Sequence, residues 1–337
     1  MRGSRLSPRK SLDLLVIGDC NPDVVVVGGD VTPAFAQQEK LVDGISLEIG
    51  GSASITAVAA ARLGLRVALA AAVGEDPAGR FMLGQLAAEG VNTAHVAVRP
   101  AAPTGMTVTL SAGGDRAILT ATGALSTLTA RDVPPELLGH ARHVHVSSYF
   151  LVADSLGPGL AELLGTARAG GASTSLDTNW DPAQRWRDER LAAALAHVSL
   201  LLPNEAEALH LAGGATLEQA VSALAAAGPR LVVKLGARGA LCADGARYYL
   251  AEPPPVTVTD TTGAGDCFNA GVIAGLLSGE DLPSAVALGC AAGAASTCAP
   301  GGTAGAPDLA TARDLARRVA VREVIPAPPA PPGAARP

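Results

Sequence analysis

Asp260-Thr261-Thr262-Gly263-Ala264-Gly265-Asp266 is the stretch around which the rest of the chain is organised. The β-patterned run Val256-Thr257-Val258-Thr259 precedes it, and an apolar helical run from Cys267 to Leu277 follows. The local plan is therefore strand, glycine-rich turn, helix N-terminus. The first amides of a helix lack intrahelical partners and carry partial positive charge. Gly263 and Gly265 let that backbone approach an anion closely. Asp266 adds a carboxylate where the helix begins. An anion cradle beside a base is what transfer of a phosphoryl group to an alcohol needs. An ordinary N-cap would use the same residue types, so the remaining sequence has to decide.

The chain has 337 residues, a formal net charge of −6, and no basic stripe, which argues against a nucleic-acid surface. Cys20, Cys242, Cys267, Cys290 and Cys298 show no CxxC pairing. That spacing favours neither a zinc site nor a disulfide framework and suits a reducing, cytoplasmic setting. The basic first residues precede an apolar run, Leu14 to Gly18, too short for a secretory signal. No segment approaches the ~20 continuous apolar residues of a membrane span.

Residues 1–11 read as a disordered leader and 323–337 as a disordered Pro/Ala tail, which leaves 12–322 as the folded domain. Leu12 to Gly18 is a buried, parallel-type strand ending in glycine. It continues as Gly18-Asp19-Cys20-Asn21-Pro22-Asp23, not as the Gly-x-Gly-x-x-Gly of a dinucleotide site. Asp23 to Gly29, Val42 to Ile49, Thr104 to Ser111 and Arg116 to Ala121 have β character, with a turn at Gly113-Gly114-Asp115. They predict a small β lid from about 21–49 and 104–122. Gly50-Gly51-Ser52 opens a helix from Ala53 to Leu63, closed by Gly64. From His143 onward strands alternate with helices, and a hairpin (Ala240 to Cys242, Tyr248 to Leu250) precedes the opening motif. This pattern predicts an α/β fold with a mostly parallel central sheet and helices on both faces. No Gly-x-x-x-x-Gly-Lys-Ser/Thr loop and no Gly-x-Ser-x-Gly elbow is present.

On these residues the chain resembles the ribokinase-like (PfkB) carbohydrate kinases over roughly residues 12–320, and Asp260 to Asp266 matches that family's DTxGAGD signature. The resemblance implies a ribokinase-like fold and phosphorylation of a hydroxyl on a small sugar or sugar-like alcohol by ATP with Mg2+. By resemblance Asp266 is the general base, and the amides of Gly263, Ala264, Gly265 and Asp266 form the anion hole. Asp260 and the Thr262 carbonyl would lie near a monovalent cation, K+ in several members. Asn204 and Glu207, in Asn204-Glu205-Ala206-Glu207, match the family's Asn-x-x-Glu and would help hold magnesium; a capped helix start reads the same way. Lys234, Gly236 and Gly239 would line the nucleotide, and a tight hairpin turn would also use these glycines. Asn21, Asp23, Gly50 and Gly51 match the sugar side.

The pattern departs from the family at Ile55, where many sugar kinases place an Asn, with Ser52 or Ser54 as replacements, and at Cys290, where ribokinases tend to place an Asn near adenine. Ser148-Tyr149 is a further substrate candidate, and Asp177-Thr178-Asn179-Trp180-Asp181 resembles the family's Asp-x-Asn. His143 and His145 alternate on a strand and read as flanking a buried core, not as a metal pair. A homodimer paired through the lid is the expected assembly. A nucleoside kinase of the same family, or a non-catalytic sugar sensor on this fold, are the alternatives. The second would require a damaged base or anion hole.

Overall fold

Strand β1 (Leu12–Ile17) is six buried residues with no polar side chain but Asp13, and everything else is laid out from it. The structure is a computed structural model and describes residues 10–112, 115–214 and 216–324. After β1 come β2 (Asn21–Val27), β3 (Gly44–Gly50), β4 (Val67–Gly74), β5 (Asn92–Arg99), β6 (Met106–Ala112) and β7 (Asp115–Ala121). Then follow β8 (Ala141–Val146), β9 (Ser173–Leu176), β10 (Leu200–Leu201), β11 (Arg230–Lys234), β12 (Ala240–Asp244), β13 (Arg247–Glu252) and β14 (Ala320–Val324). The helices are α1 (Ser52–Arg62), α2 (Pro77–Ala88), α3 (Pro135–His140), α4 (Tyr149–Val152), α5 (Gly157–Ala169) and α6 (Glu189–Leu195). They continue with α7 (Glu205–Ala212), α8 (Leu217–Ala226), α9 (Ala264–Leu277), α10 (Leu282–Ser296) and α11 (Leu309–Ala316).

Among the described residues the main sheet runs β14-β13-β12-β11-β10-β9-β8-β1-β4-β5. It is parallel from β5 to β11 and antiparallel through β12, β13 and β14. Period-two alternation splits its side chains between two cores. Leu15 and Ile17 join one with Val144, Val146 and Leu176; Leu14 and Val16 join the other with α1 and α9. Burial on both faces is why these strands read as unbroken apolar runs. From β1 the chain winds outward to β4 and β5, then returns to β8 and winds the other way. The order therefore reverses between β1 and β8, and in such sheets ligands bind at the carboxyl ends of the strands beside that reversal.

The second sheet has the order β3-β2-β6-β7, antiparallel except for β2 with β6, and is the small β lid. Among the described residues no helix is long and apolar enough to cross a membrane.

Three sequence expectations need correction. Val256 to Thr259 forms no strand: Thr257, Val258 and Thr259 are exposed, and Thr259 and the following Asp260 both donate their amides to the Thr297 carbonyl (2.7 and 3.1 Å). The edge strand β5 was not foreseen. Nor was β14, which pairs with β13 and carries Glu323 and Val324, so the folded chain runs past 322. The leader expectation falls for residues 1–9, the tail for 325–337 and the Gly113-Gly114 turn itself outside the described residues, while Lys10 donates to the Ala141 carbonyl (2.8 Å).

Candidate active site

Most polar groups of the cleft leave the carboxyl ends of strands. Asp19 follows β1, Ser148 follows β8, Asp177 and Asn179 follow β9, Asn204 follows β10, and Lys234 ends β11. Asp266 comes from the first turn of α9, which packs across the same sheet. Gly263 stands before α9 with φ +70°, and a Cβ there would lie 2.5 Å from the Gly302 carbonyl and 3.0 Å from Ile55 Cγ2. Only glycine meets both demands at that turn. The turn is braced by Asp260, whose Oδ1 accepts from the Thr262 amide and hydroxyl (2.9 and 2.8 Å) and whose Oδ2 accepts from the Gly301 amide (2.9 Å).

Lys234 is the cation of the cleft. Its ammonium pairs with the Asp177 carboxylate, and a Cβ on Gly265 would sit 3.7 Å from Lys234 Nζ, so this charge lies against the glycine turn. Asn269, one turn along α9 from Asp266, donates to the same Asp177 oxygen (2.6 Å), and its own Oδ1 is buried with no partner among the described residues. Asp19 accepts from the Ser52 and Ala53 amides (3.0 and 2.8 Å) and so caps α1.

Several buried carboxylates therefore share one lysine. Burial first, then the charge of Asp177, holds Asp266 well above the ordinary carboxylate range, with Lys234 pulling the other way. Glu207 is pushed up to about 7 by burial and then by Asp177. Burial works against the Lys234 charge, but Asp177, Glu207 and Asp266 outweigh it and keep the ammonium protonated.

Asn204 and Glu207 form a reciprocal capping box on α7. Asn204 Oδ1 accepts from the Glu207 amide (2.9 Å), Glu207 Oε2 from the Asn204 amide (2.9 Å), and Glu207 Oε1 from Asn204 Nδ2 (2.6 Å). Gly236 (φ +60°) and Gly239 (φ +91°) make the tight turn between antiparallel β11 and β12, closed by Leu235 N to Gly239 O at 2.8 Å. On the lid side, Asn21 Nδ2 donates to Thr107 Oγ1 (3.1 Å) and lies 3.4 Å from Asp23 Oδ1; both residues are buried. A Cβ on Gly50 would overlap the Asp23 carboxylate, and one on Gly51 would lie 3.0 Å from Asn21 Oδ1.

Among the remaining candidates, Ile55 is buried against Gly263 and Gly302 and props the motif from below. Cys290 is a core residue whose thiol faces the Ala251 carbonyl (3.6 Å). Tyr149 is fully buried with its hydroxyl on Asp188 (3.3 Å), so it packs the interior and offers no substrate contact. Asp181 accepts from the Ala183 and Trp186 amides (both 2.9 Å) and shapes a turn.

His143 and His145 belong to a polar ladder between β8 and β9. Ser173, His143, Ser175, His145 and Ser147 are linked in that order at 2.7, 2.7, 2.7 and 3.0 Å. Burial pushes the imidazoles down to about 3 and about 4, so both are neutral. At the opposite end of these strands His143, Ser173 and Arg230 line a cavity of about 340 Å³.

Sequence reasoning did not anticipate Asp19 or Asn269 in the cleft. The signal for Asn269 was available: it stands three residues after Asp266 in a helix, on the same face.

The profile of pfkB family carbohydrate kinases matches residues 11–309. The ribokinase of Bacillus subtilis is 29% identical over 297 residues, 88% of this chain and 96% of its own length. The 2-dehydro-3-deoxygluconokinase of the same organism is 31% identical over 284 residues, 79% of this chain and 86% of its own. Among solved structures, an E. coli protein described as ribokinase II, in complex with ATP and Mg2+, superposes with a TM-score of 0.80 at 25% identity, covering 91% of this chain and 99% of that one. With a ribokinase-like sheet, a β lid and the glycine turn at their junction, the chain belongs to the pfkB family of carbohydrate kinases.

Proposed function

We propose that the chain transfers the terminal phosphoryl group of ATP to a hydroxyl of a small sugar or sugar-like alcohol, with Asp266 as general base. The observation that carries this reading is the buried Asp266 carboxylate one residue past the Gly263–Gly265 turn, with the Lys234 ammonium against the same turn. A sugar hydroxyl is a poor nucleophile at neutral pH. Asp266 orients it and accepts its proton as the new P–O bond forms. The amides of Gly263, Ala264, Gly265 and Asp266 and the Lys234 charge oppose the negative charge on the phosphoryl oxygens. The raised affinity of Asp266 for a proton suits this role.

Magnesium supplies charge neutralisation on the phosphates when bound. Glu207 and Asn204 offer the hard oxygen donors it takes, at a cluster with more carboxylates than cations. Asp260 and the Thr262 carbonyl would flank a monovalent cation. Lys234, Gly236 and Gly239 would lie along the nucleotide. Asn21 and Asp23, seated on Gly50 and Gly51, would hold the acceptor under the lid, whose closure excludes water. The exposed Ile45 and Leu47 of β3 and Leu119 of β7 share one face of the lid and give it an apolar surface that a second copy would cover in a homodimer. The reading is of a cytoplasmic enzyme.

The relatives act, by their names, on ribose and on 2-dehydro-3-deoxygluconate. ADP release should therefore be screened over pentoses, hexoses, ketoses, sugar acids and nucleosides. A sugar or sugar acid is expected to turn over. Turnover only with nucleosides would move the acceptor class, and none with any of them would favour a sensing protein. Once the acceptor is known, Gly50→Ala is expected to raise its KM roughly tenfold by displacing Asp23, the cost of one polar contact. The KM for ATP should stay within about twofold. An unchanged acceptor KM would remove Asp23 from the acceptor site.

A further inference from the structure

The base is held by more than its own helix. Asn179 follows β9 with φ +54° and Ser148 follows β8 with φ +55°, both in the left-handed region that non-glycine residues seldom enter. These two residues meet in one hydrogen bond, the Ser148 amide donating to Asn179 Oδ1 at 2.9 Å. A backbone amide can only donate, so the Asn179 oxygen must face Ser148 and its amide nitrogen must face the other way. There Nδ2 donates to Ser52 Oγ at 2.9 Å. A serine oxygen that accepts this bond still has its single proton to give; α1 packs on α9, with Ile55 against Gly263, and the Ser52 hydroxyl is one of the groups that favour the charged form of Asp266. Ser52 is itself anchored, its amide on Asp19 Oδ2 at 3.0 Å, and the Asn179 amide reaches Asp177 Oδ1 at 3.3 Å. Backbone strain persists where the surroundings over-determine it, and it gathers at functional sites.

We propose that Ser52 and Asn179 are positioning residues for Asp266: the Asn179 amide fixes the Ser52 hydroxyl so that its proton is donated to the carboxylate, which keeps its remaining lone pairs for the acceptor hydroxyl. The inference rests on Asp266 being the base. It gives Ser52 a task distinct from contacting the acceptor. It also ties the base to the lid, because Ser52 follows directly on Gly50 and Gly51 at the end of β3.

The test is kcat against pH for Ser52→Ala, Ser52→Thr and Asn179→Gly, with the KM for ATP and the unfolding midpoint as controls. Glycine at 179 keeps the backbone conformation and removes only the amide. A hydrogen bond donated to a carboxylate favours its charged form, so its loss should move the acid limb of kcat to higher pH. In Ser52→Ala, kcat at neutral pH should fall roughly tenfold, with the KM for ATP unchanged. Ser52→Thr should restore most of it. Asn179→Gly should move the limb the same way, and adding it to Ser52→Ala should cost little more. An unmoved limb with kcat within about twofold of the native enzyme in Ser52→Ala, while Asp266→Asn is inactive, would overturn the inference and leave the base reading standing. An active Asp266→Asn enzyme would overturn both.

Discussion

Asp266→Asn is expected to lower turnover roughly a thousandfold, about 4 kcal/mol of transition-state stabilisation, and to leave ATP affinity within about twofold. Asparagine has the size of aspartate and keeps the start of α9, where the Cys267 amide bonds the Gly263 carbonyl at 2.9 Å. The four amides proposed to face the phosphoryl group remain. What is lost is the group proposed to take the proton. Misfolding can be separated from this effect, because the site disfavours the charge at 266 through burial and through Asp177. Removing that charge should leave the unfolding midpoint no lower than that of the native chain. ADP release and calorimetric ATP binding, measured on the same preparation, check both halves. Turnover within tenfold of the native enzyme would remove Asp266 as the base.

Lys234→Met should damage both stability and function. Lys234 neutralises Asp177, which is almost wholly buried, and faces Glu207 and Asp266 as well. Taking away one partner of a buried pair costs about 3–5 kcal/mol, because an uncompensated charge stays behind. Methionine fills the space of the lysine stem, so the loss is electrostatic and not a cavity. The double variant Lys234→Met/Asp177→Asn should recover part of that stability, since asparagine at 177 can still accept from Asn269. It should not recover turnover, because the cation against the glycine turn is still missing. Denaturant unfolding and ADP release on both variants measure this. A single variant as stable as the native chain would show that the pair is screened by water.

The loop–helix junction at Gly263 was legible in the sequence because its requirements are local. A left-handed residue before a helix selects glycine, and a helix start accepts an acidic side chain. β1 was legible because burial on both faces removes polar alternation. β5 and β14 were missed for the converse reason. They are edge strands, with exposed residues and no apolar run, and pairing with β4 and β13 alone makes them strands. Val256 to Thr259 failed the other way: β-branched side chains carry a preference, but among the described residues no strand pairs with this run. Tyr149 looked like a cleft residue because it follows a strand end, yet the short helix α4 turns it into the core.

By itself the sequence determined a glycine turn able to cradle an anion, a carboxylate beside it, and a strand–helix alternation that places such turns at one edge of a sheet. All of these follow from backbone sterics and hydrophobic periodicity over a few residues. Only the tertiary structure decided what surrounds Asp266. Asp19, Ser52, the Asp177–Asn179 turn and Lys234 come from four separate places in the chain and are drawn together by the strand order. The physical reason is that proton affinity, and the direction in which a hydroxyl points, depend on burial and on charges and donors nearby in space. A linear pattern holds none of that until the sheet has closed.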